Sequence, residues 1–278
     1  MPEGDTIHNA ARRVGAALVG SEIRSIEMPQ ERHAKDCWAE RLRGRDVTGV
    51  DAHGKHLFVR FDGDLTLHSH LRMGGAWGVY ERGRRWHRPA HRAWLVIKTD
   101  DHDVVQFDGP VLELMTEGRT RFDQRLSALG PDVLAEPDFD RDEFLKRLRG
   151  DDPGRGIGDA LLDQRIVAGL GTVWKSEGCF LAGLSPWRPI ATVTDDEALR
   201  VIEAVRPLMK RSVERGGRIV TWEPAEQSPS ARRPRRRERA TWVFERSGQP
   251  CRRCGTRVQF RGQGDDNRNT FWCPECQR

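Results

Sequence analysis

Four of the six cysteines stand in two tight pairs near the end of the chain, Cys251-Arg252-Arg253-Cys254 and Cys273-Pro274-Glu275-Cys276. Two residues inside each pair let both thiolates of one turn face a common centre. The eighteen residues between the pairs are enough for a short hairpin that brings the four sulfurs together. From Cys251 onward only 28 residues remain, too few to fold around a core of their own. One structural zinc ion held by four thiolates is therefore the expected cofactor. Two disulfides or a redox dithiol would use the same cysteines, but the spacing favours metal. Arg252, Arg253, Arg257, Arg261 and Arg268 load this ribbon with positive charge, so a polyanion is its expected partner.

A length of 278 residues suits two domains plus the ribbon. Charged residues make up 32% of the chain and hydrophobic ones 37%, polar yet sufficient for real cores. A net charge of +5 and a pI near 9.1 favour nucleic acid. The start, Met1-Pro2-Glu3-Gly4-Asp5-Thr6, has no cationic segment followed by an apolar run, and no stretch reaches the ~20 apolar residues of a membrane span. A cytoplasmic location without a membrane partner is expected, and the isolated Cys37 and Cys179 agree with a reducing compartment.

Apolar residues between Thr6 and Leu18 recur at three- and four-residue intervals and stop at Gly20, which predicts an amphipathic helix over 5–19. Short apolar or β-branched runs follow: Ile23–Ile26, Val47–Val50, His56–Phe61, Leu65–His68, Trp94–Ile97 and Val104–Phe107, broken by Asp/Gly turns. They predict a β-sandwich or barrel over 1–130, flanked by the first helix. Helices are expected at Asp142–Arg149, Ile157–Gln164, Gly171–Phe180 and Asp195–Arg215, within a helical domain at 131–223. Two of them flank a glycine-containing turn, a scaffold that offers backbone N–H groups to phosphate but also serves as an ordinary core hairpin. Residues 224–240 carry three prolines and six arginines and read as a linker able to touch phosphates, ahead of the ribbon at 241–278.

Three places carry candidate chemistry. Removal of Met1 exposes the secondary amine of Pro2; an α-amino group titrates near pH 8, so part of it is neutral and able to form an iminium with an aldehyde-like carbon. Glu3 is placed to shuttle the proton. Lys55, in Gly54-Lys55-His56 between two strand-like runs, projects from a turn toward a phosphate or sugar oxygen. In His68-Ser69-His70-Leu71-Arg72-Met73-Gly74-Gly75, Met73 is a flexible apolar side chain suited to wedge into a base stack. Each has a plain alternative: an uncatalytic Met-Pro start, a surface lysine, a core methionine.

In order along the chain, Pro2-Glu3-Gly4, Gly54-Lys55-His56-Leu57, Ser69-His70-Leu71-Arg72-Met73, Leu129-Gly130-Pro131-Asp132, Leu161-Leu162-Asp163-Gln164, Ala168-Gly169-Leu170-Gly171 and the run from Arg268 to Gln277 resemble the formamidopyrimidine-DNA glycosylase / endonuclease VIII family. The resemblance implies a multidomain α+β fold: an N-terminal β-sandwich with a flanking helix, a helix-two-turn-helix domain and a C-terminal zinc-ribbon hairpin. It implies a monomeric bifunctional DNA glycosylase and abasic-site lyase acting on damaged double-stranded DNA. Pro2 would be the nucleophile and Glu3 the general acid/base. Lys55 and Arg268 would grip phosphates at the lesion. His70, Arg72, Gly171 and Thr172 would line the DNA, and Met73 would fill the gap left by the extruded base.

Departures from the family pattern bear on specificity. Thr172 stands where an asparagine usually binds phosphate, and its hydroxyl has a shorter reach. Gln106-Phe107-Asp108 lacks the arginine with which the purine-directed branch reads the opposite base. Asp5-Thr6 and the arginine-rich 224–240 segment also point to the endonuclease VIII side, which favours oxidised pyrimidines. An 8-oxoguanine-directed enzyme and a non-catalytic zinc-ribbon binder are the alternatives.

Overall fold

The computed structural model describes residues 2–30, 37–223 and 240–278. Compactness divides the chain into two units, Met1–Ala128 and Leu129–Arg278.

The first unit begins with α1 (Gly4–Leu18), whose buried Ile7, Ala10, Ala11, Val14, Ala17 and Leu18 form the stripe that the periodicity predicts. Eight strands follow. β1 (Ser25–Glu27), β6 (Ala93–Lys98), β7 (His102–Phe107) and β5 (Ala76–Glu81) form one antiparallel sheet in the order β1-β6-β7-β5. β2 (Val47–His53), β3 (His56–Phe61), β4 (Leu65–His70) and β8 (Val111–Thr116) form the other, in the order β2-β3-β4-β8. Helix α1 packs against β2 and β3 of one sheet and β5 and β7 of the other. One apolar core joins both sheets to the helix, with Leu57, Val59, Leu67, Trp77, Leu95, Ile97, Val104 and Leu114 at its heart. This is the expected sandwich. β5 and β8 were not foreseen. The first follows Gly74-Gly75 and carries Gly78, and the second, behind Gly109-Pro110, is two apolar pairs split by Glu113, so neither shows a clean two-residue alternation. Short helices α2 (Trp38–Arg41), α3 (Glu117–Phe122) and α4 (Gln124–Ser127) complete the unit.

In the second unit, α5 (Arg141–Arg149) is capped by Asp140, whose carboxylate accepts from the Glu143 amide. α6 is confined to Ile157–Ala160, shorter than the predicted helix to Gln164. Asp163 accepts from the Arg165 amide, and Gln164 turns its side chain onto backbone carbonyls, so the chain leaves the helix there. α7 (Thr172–Ala182) and α8 (Asp195–Glu214) pack together around Trp174, Phe144, Val201, Val205 and Met209. A reciprocal Thr194–Glu197 capping box starts α8. The ribbon carries one hairpin, β9 (Gln259–Gln263) and β10 (Arg268–Trp272). Of the predicted 224–240 linker, all but Ala240 lies outside the described residues.

Candidate active site and nucleic-acid interface

Pro2 and Glu3 lead directly into α1. Pro2 is partly exposed, whereas Glu3 is fully buried and its carbonyl accepts from the Ile7 amide at 3.1 Å. Lys55 occupies a two-residue turn between His53 and His56, the last paired residues of β2 and β3, and Gly54 supplies the φ of 57° that the first turn position demands. Strand register then aligns His56 opposite His70 on β4, beside the lysine turn. Lys55, His56 and His70 thus share one end of the β2-β3-β4-β8 sheet.

Behind them runs a polar line that the sequence did not disclose. His56 Nδ1 lies 2.8 Å from His68 Nε2, and His68 Nδ1 lies 3.1 Å from Glu113 Oε2. Arg125 donates to Glu113 at 2.9 Å and is held in turn by Asp123 at 2.8 Å. Burial pushes the imidazole of His56 down to about 2, helped by His70 and His68, and that of His70 down to about 4, helped by Arg72 and Lys55. His68 is also lowered, burial outweighing the pull of Glu113. All three rings are therefore neutral at neutral pH, and the hydrogen bonds fix their tautomers. Glu113 accepts, so His68 carries its proton on Nδ1; its bare Nε2 accepts from His56 Nδ1–H. His70 Nδ1 accepts from the Arg72 amide at 3.1 Å, which leaves the proton on Nε2 as its donor. His68 and Glu113 are partners across β4 and β8. Only the pairing of β8 with β4 brings them together.

Met73 follows Arg72, whose φ is 48°, and stands 67% exposed at the tip of its turn. A large apolar side chain held in solvent suits a wedge.

In the second unit, Gly171 is the extended N-cap of α7 and no side chain caps the helix; Thr172 opens it and is buried. The preceding loop is shaped by Gln164, whose amide donates to the carbonyls of Leu162 and Leu170 and accepts from the Gly169 amide. Arg268 begins β10 opposite Gln263, half-exposed, with Asp266 at 3.2 Å. Two fully buried charges on α7, also unforeseen, hold the ribbon. Lys175 donates to the Asn269 carbonyl and to Thr270 Oγ1 next to Arg268. Glu177 accepts from the amides of Trp242, Val243 and Phe244 at 2.8–2.9 Å and from the Thr221 hydroxyl.

The four ribbon cysteines are free thiols whose Sγ atoms all lie within 4.8 Å of one another. Cys251 to Cys276 is 3.9 Å and Cys254 to Cys273 is 3.5 Å. Tetrahedral thiolates ~2.3 Å from zinc lie about 3.8 Å apart, so the cluster fits that ion.

Residues 1–128 match the formamidopyrimidine-DNA glycosylase N-terminal domain, and residues 129–223 match the helix-two-turn-helix domain of the same family. This chain belongs to that family. It shares 41% identity with a probable endonuclease 8 2 of Streptomyces coelicolor, covering all of this chain and 94% of that protein. It shares 37% with the DNA-(apurinic or apyrimidinic site) lyase Nei2 of Mycolicibacterium smegmatis, covering 100% and 99%. The fold matches Lactococcus lactis formamidopyrimidine-DNA glycosylase bound to DNA containing an abasic site, with a TM-score of 0.78 over all of both chains at 24% identity. The chain is a family member of the endonuclease VIII kind, an enzyme of the DNA glycosylase class with abasic-site lyase activity.

Proposed function

We propose that this enzyme excises oxidised bases, pyrimidines first, from duplex DNA and then cuts the strand through a Schiff base on Pro2. The observation that carries this reading is an imino acid at position 2 followed by a fully buried carboxylate at position 3, in a full-length family member. The lesion must leave the stack before its anomeric carbon is reachable, at a cost of about a few kcal/mol that is smallest for a poorly stacked damaged base. Attack forms the bond from the Pro2 nitrogen to C1′ as the bond from C1′ to the base breaks, and the base leaves with that electron pair and takes a proton from water. Ring opening moves the C1′–O4′ pair onto O4′, where Glu3 delivers the proton shed by the Pro2 nitrogen, leaving a cationic iminium. The iminium acidifies C2′–H; loss of that proton expels the 3′ phosphate, and a second elimination expels the 5′ phosphate. Water then hydrolyses the remaining iminium and frees Pro2.

Lys55 and the Nε2–H of His70 bind the phosphate and sugar oxygens at the lesion, with Arg72 beside them. Gly171 and Thr172 hold a phosphate at the start of α7, and Arg268 binds another from the hairpin. Met73 fills the space left by the base. Zinc on Cys251, Cys254, Cys273 and Cys276 cross-links the ribbon and takes no part in the chemistry. The lack of an arginine in Gln106-Phe107-Asp108 supports the pyrimidine preference.

Cleavage of duplexes carrying dihydrouracil, thymine glycol, 8-oxoguanine or an abasic site tests the reading. Abasic and pyrimidine lesions are expected to be cut fastest. Faster cutting of 8-oxoguanine opposite cytosine overturns the preference, and no cutting of any substrate overturns the reaction.

A further inference from the structure

The segment between β5 and β6 carries Arg88, a residue outside every motif of the family resemblance. Trp86 fixes the segment: its ring packs on Tyr80 and Phe107, and its Nε1 donates to Asp103 at 3.2 Å. From this anchor the Arg88 guanidinium reaches two loops at once. Its Nη1 donates to the Gly74 carbonyl at 2.8 Å and to Asp108 Oδ2 at 2.9 Å. Arg92 grips the same carboxylate oxygen at 2.7 Å. Gly74 directly follows the exposed Met73, and Asp108 sits in the turn between β7 and β8.

Those two loops already touch backbone to backbone. A Cβ at Gly75 would come within 2.7 Å of the Leu71 carbonyl and 3.0 Å of the Gly109 Cα, so only glycine permits the approach. Both loops also hold a non-glycine residue in the left-handed region, Arg72 and Asp108 at φ 48° each. Such positions cost of order 1 kcal/mol and persist only where surrounding contacts over-determine them. Beneath the second loop, the buried Gln106 amide has no hydrogen-bond partner among the described residues and lies against Gly109. Strain and an unsatisfied amide concentrate where the two loops meet, and Arg88 is the side chain that donates to both.

We infer that Arg88 is a positioning residue: it ties the Met73 turn to the 108–110 turn, so that wedge and neighbouring loop enter the duplex as one rigid body. This rests on the reading of Met73 as the wedge. The tie matters for the step that needs a base extruded and the gap held open. It matters little once the base is already missing, because an abasic sugar has no stacking to overcome.

The test is single-turnover kinetics of Arg88→Ala on two duplexes, one with dihydrouracil and one with a preformed abasic site, with 2-aminopurine fluorescence beside the lesion reporting extrusion. Loss of a charge-assisted hydrogen bond that sets geometry predicts base excision and extrusion slowed about tenfold or more. Abasic cleavage is expected to stay within about twofold of the parent, given the small part of a preformed gap in that step. Arg88→Lys, which keeps a point donor, should recover part of the excision rate. Asp108→Asn, which keeps shape but loses the charge, should repeat the split if Arg88→Ala does not fold. Equal loss on both substrates would make Arg88 a general phosphate contact or a fold brace, and no loss on either would make the tie idle; both outcomes overturn the inference. Failure of the parent enzyme to cut abasic DNA would instead count against the proposed reaction.

Discussion

The β-sandwich and the cysteine ribbon both present basic or donor side chains, yet they hold them by opposite means. In the sandwich a continuous apolar core fixes strand register, and register alone lines up His56, His68 and Glu113 behind Lys55 and His70. The ribbon has only a small cluster around Phe180, Val243, Val258 and Phe271. It relies on four cysteines and on two ionic side chains, Lys175 and Glu177, buried in α7. The first design spreads its stability over many contacts, so single polar losses are tolerated. The second concentrates it in a few, so single losses are severe.

The largest effect is therefore expected from Cys273→Ser. A structural zinc contributes about 10 kcal/mol or more to folding of such a module, so losing a ligand should release the ion and unfold the ribbon. Duplex affinity should fall about a hundredfold through the lost phosphate contacts, while the sandwich keeps its own thermal transition. Metal analysis with calorimetry checks this. A chelated protein that binds duplex as before would break the contrast.

Next comes Glu177→Leu. The change strands the amides of Trp242, Val243 and Phe244 in a buried site, at a cost of about 3 kcal/mol or more. Hydrogen exchange should show those amides losing protection with the cysteines untouched. Unchanged protection would mean that metal alone holds the ribbon.

The same contrast explains what the sequence disclosed. Cysteine spacing is local, so the four-sulfur cluster is legible from Cys251, Cys254, Cys273 and Cys276 alone. Helix α1 and most strands follow from periodicity. The histidine line is a product of long-range pairing: His68 meets Glu113 only once β8 is laid beside β4, and β8 has no alternation to announce it. Lys175 and Glu177 stayed hidden because the polar run Lys175-Ser176-Glu177 in a helix reads as solvated, whereas the hairpin and the 242–244 amides bury both. The 88–108 tie was invisible for the same reason, since its partners are separated by a whole strand pair.

A smaller effect should mark the sandwich. His56 and His70 titrate well below the usual imidazole value of about 6.5 when folded, so the unfolded chain binds more protons between that value and about 4. Stability from these rings is full above pH ~6.5 and is lost as pH falls toward about 4, His56 extending the loss lower still. The sandwich transition, recognised by its indifference to chelator, should drop by about 4 °C for each kcal/mol so lost. His56→Gln should flatten the profile. A Tm independent of pH over that window would remove the neutral-histidine account.

The central claim is that the secondary amine of Pro2 attacks the lesion sugar, and borohydride trapping on an abasic duplex tests it most directly. The mature enzyme should form a reduced covalent adduct whose modified peptide carries the sugar on Pro2, and an enzyme acetylated at that nitrogen should form none and leave the strand intact. An acetylated enzyme that still traps and cuts at the parent rate would contradict it.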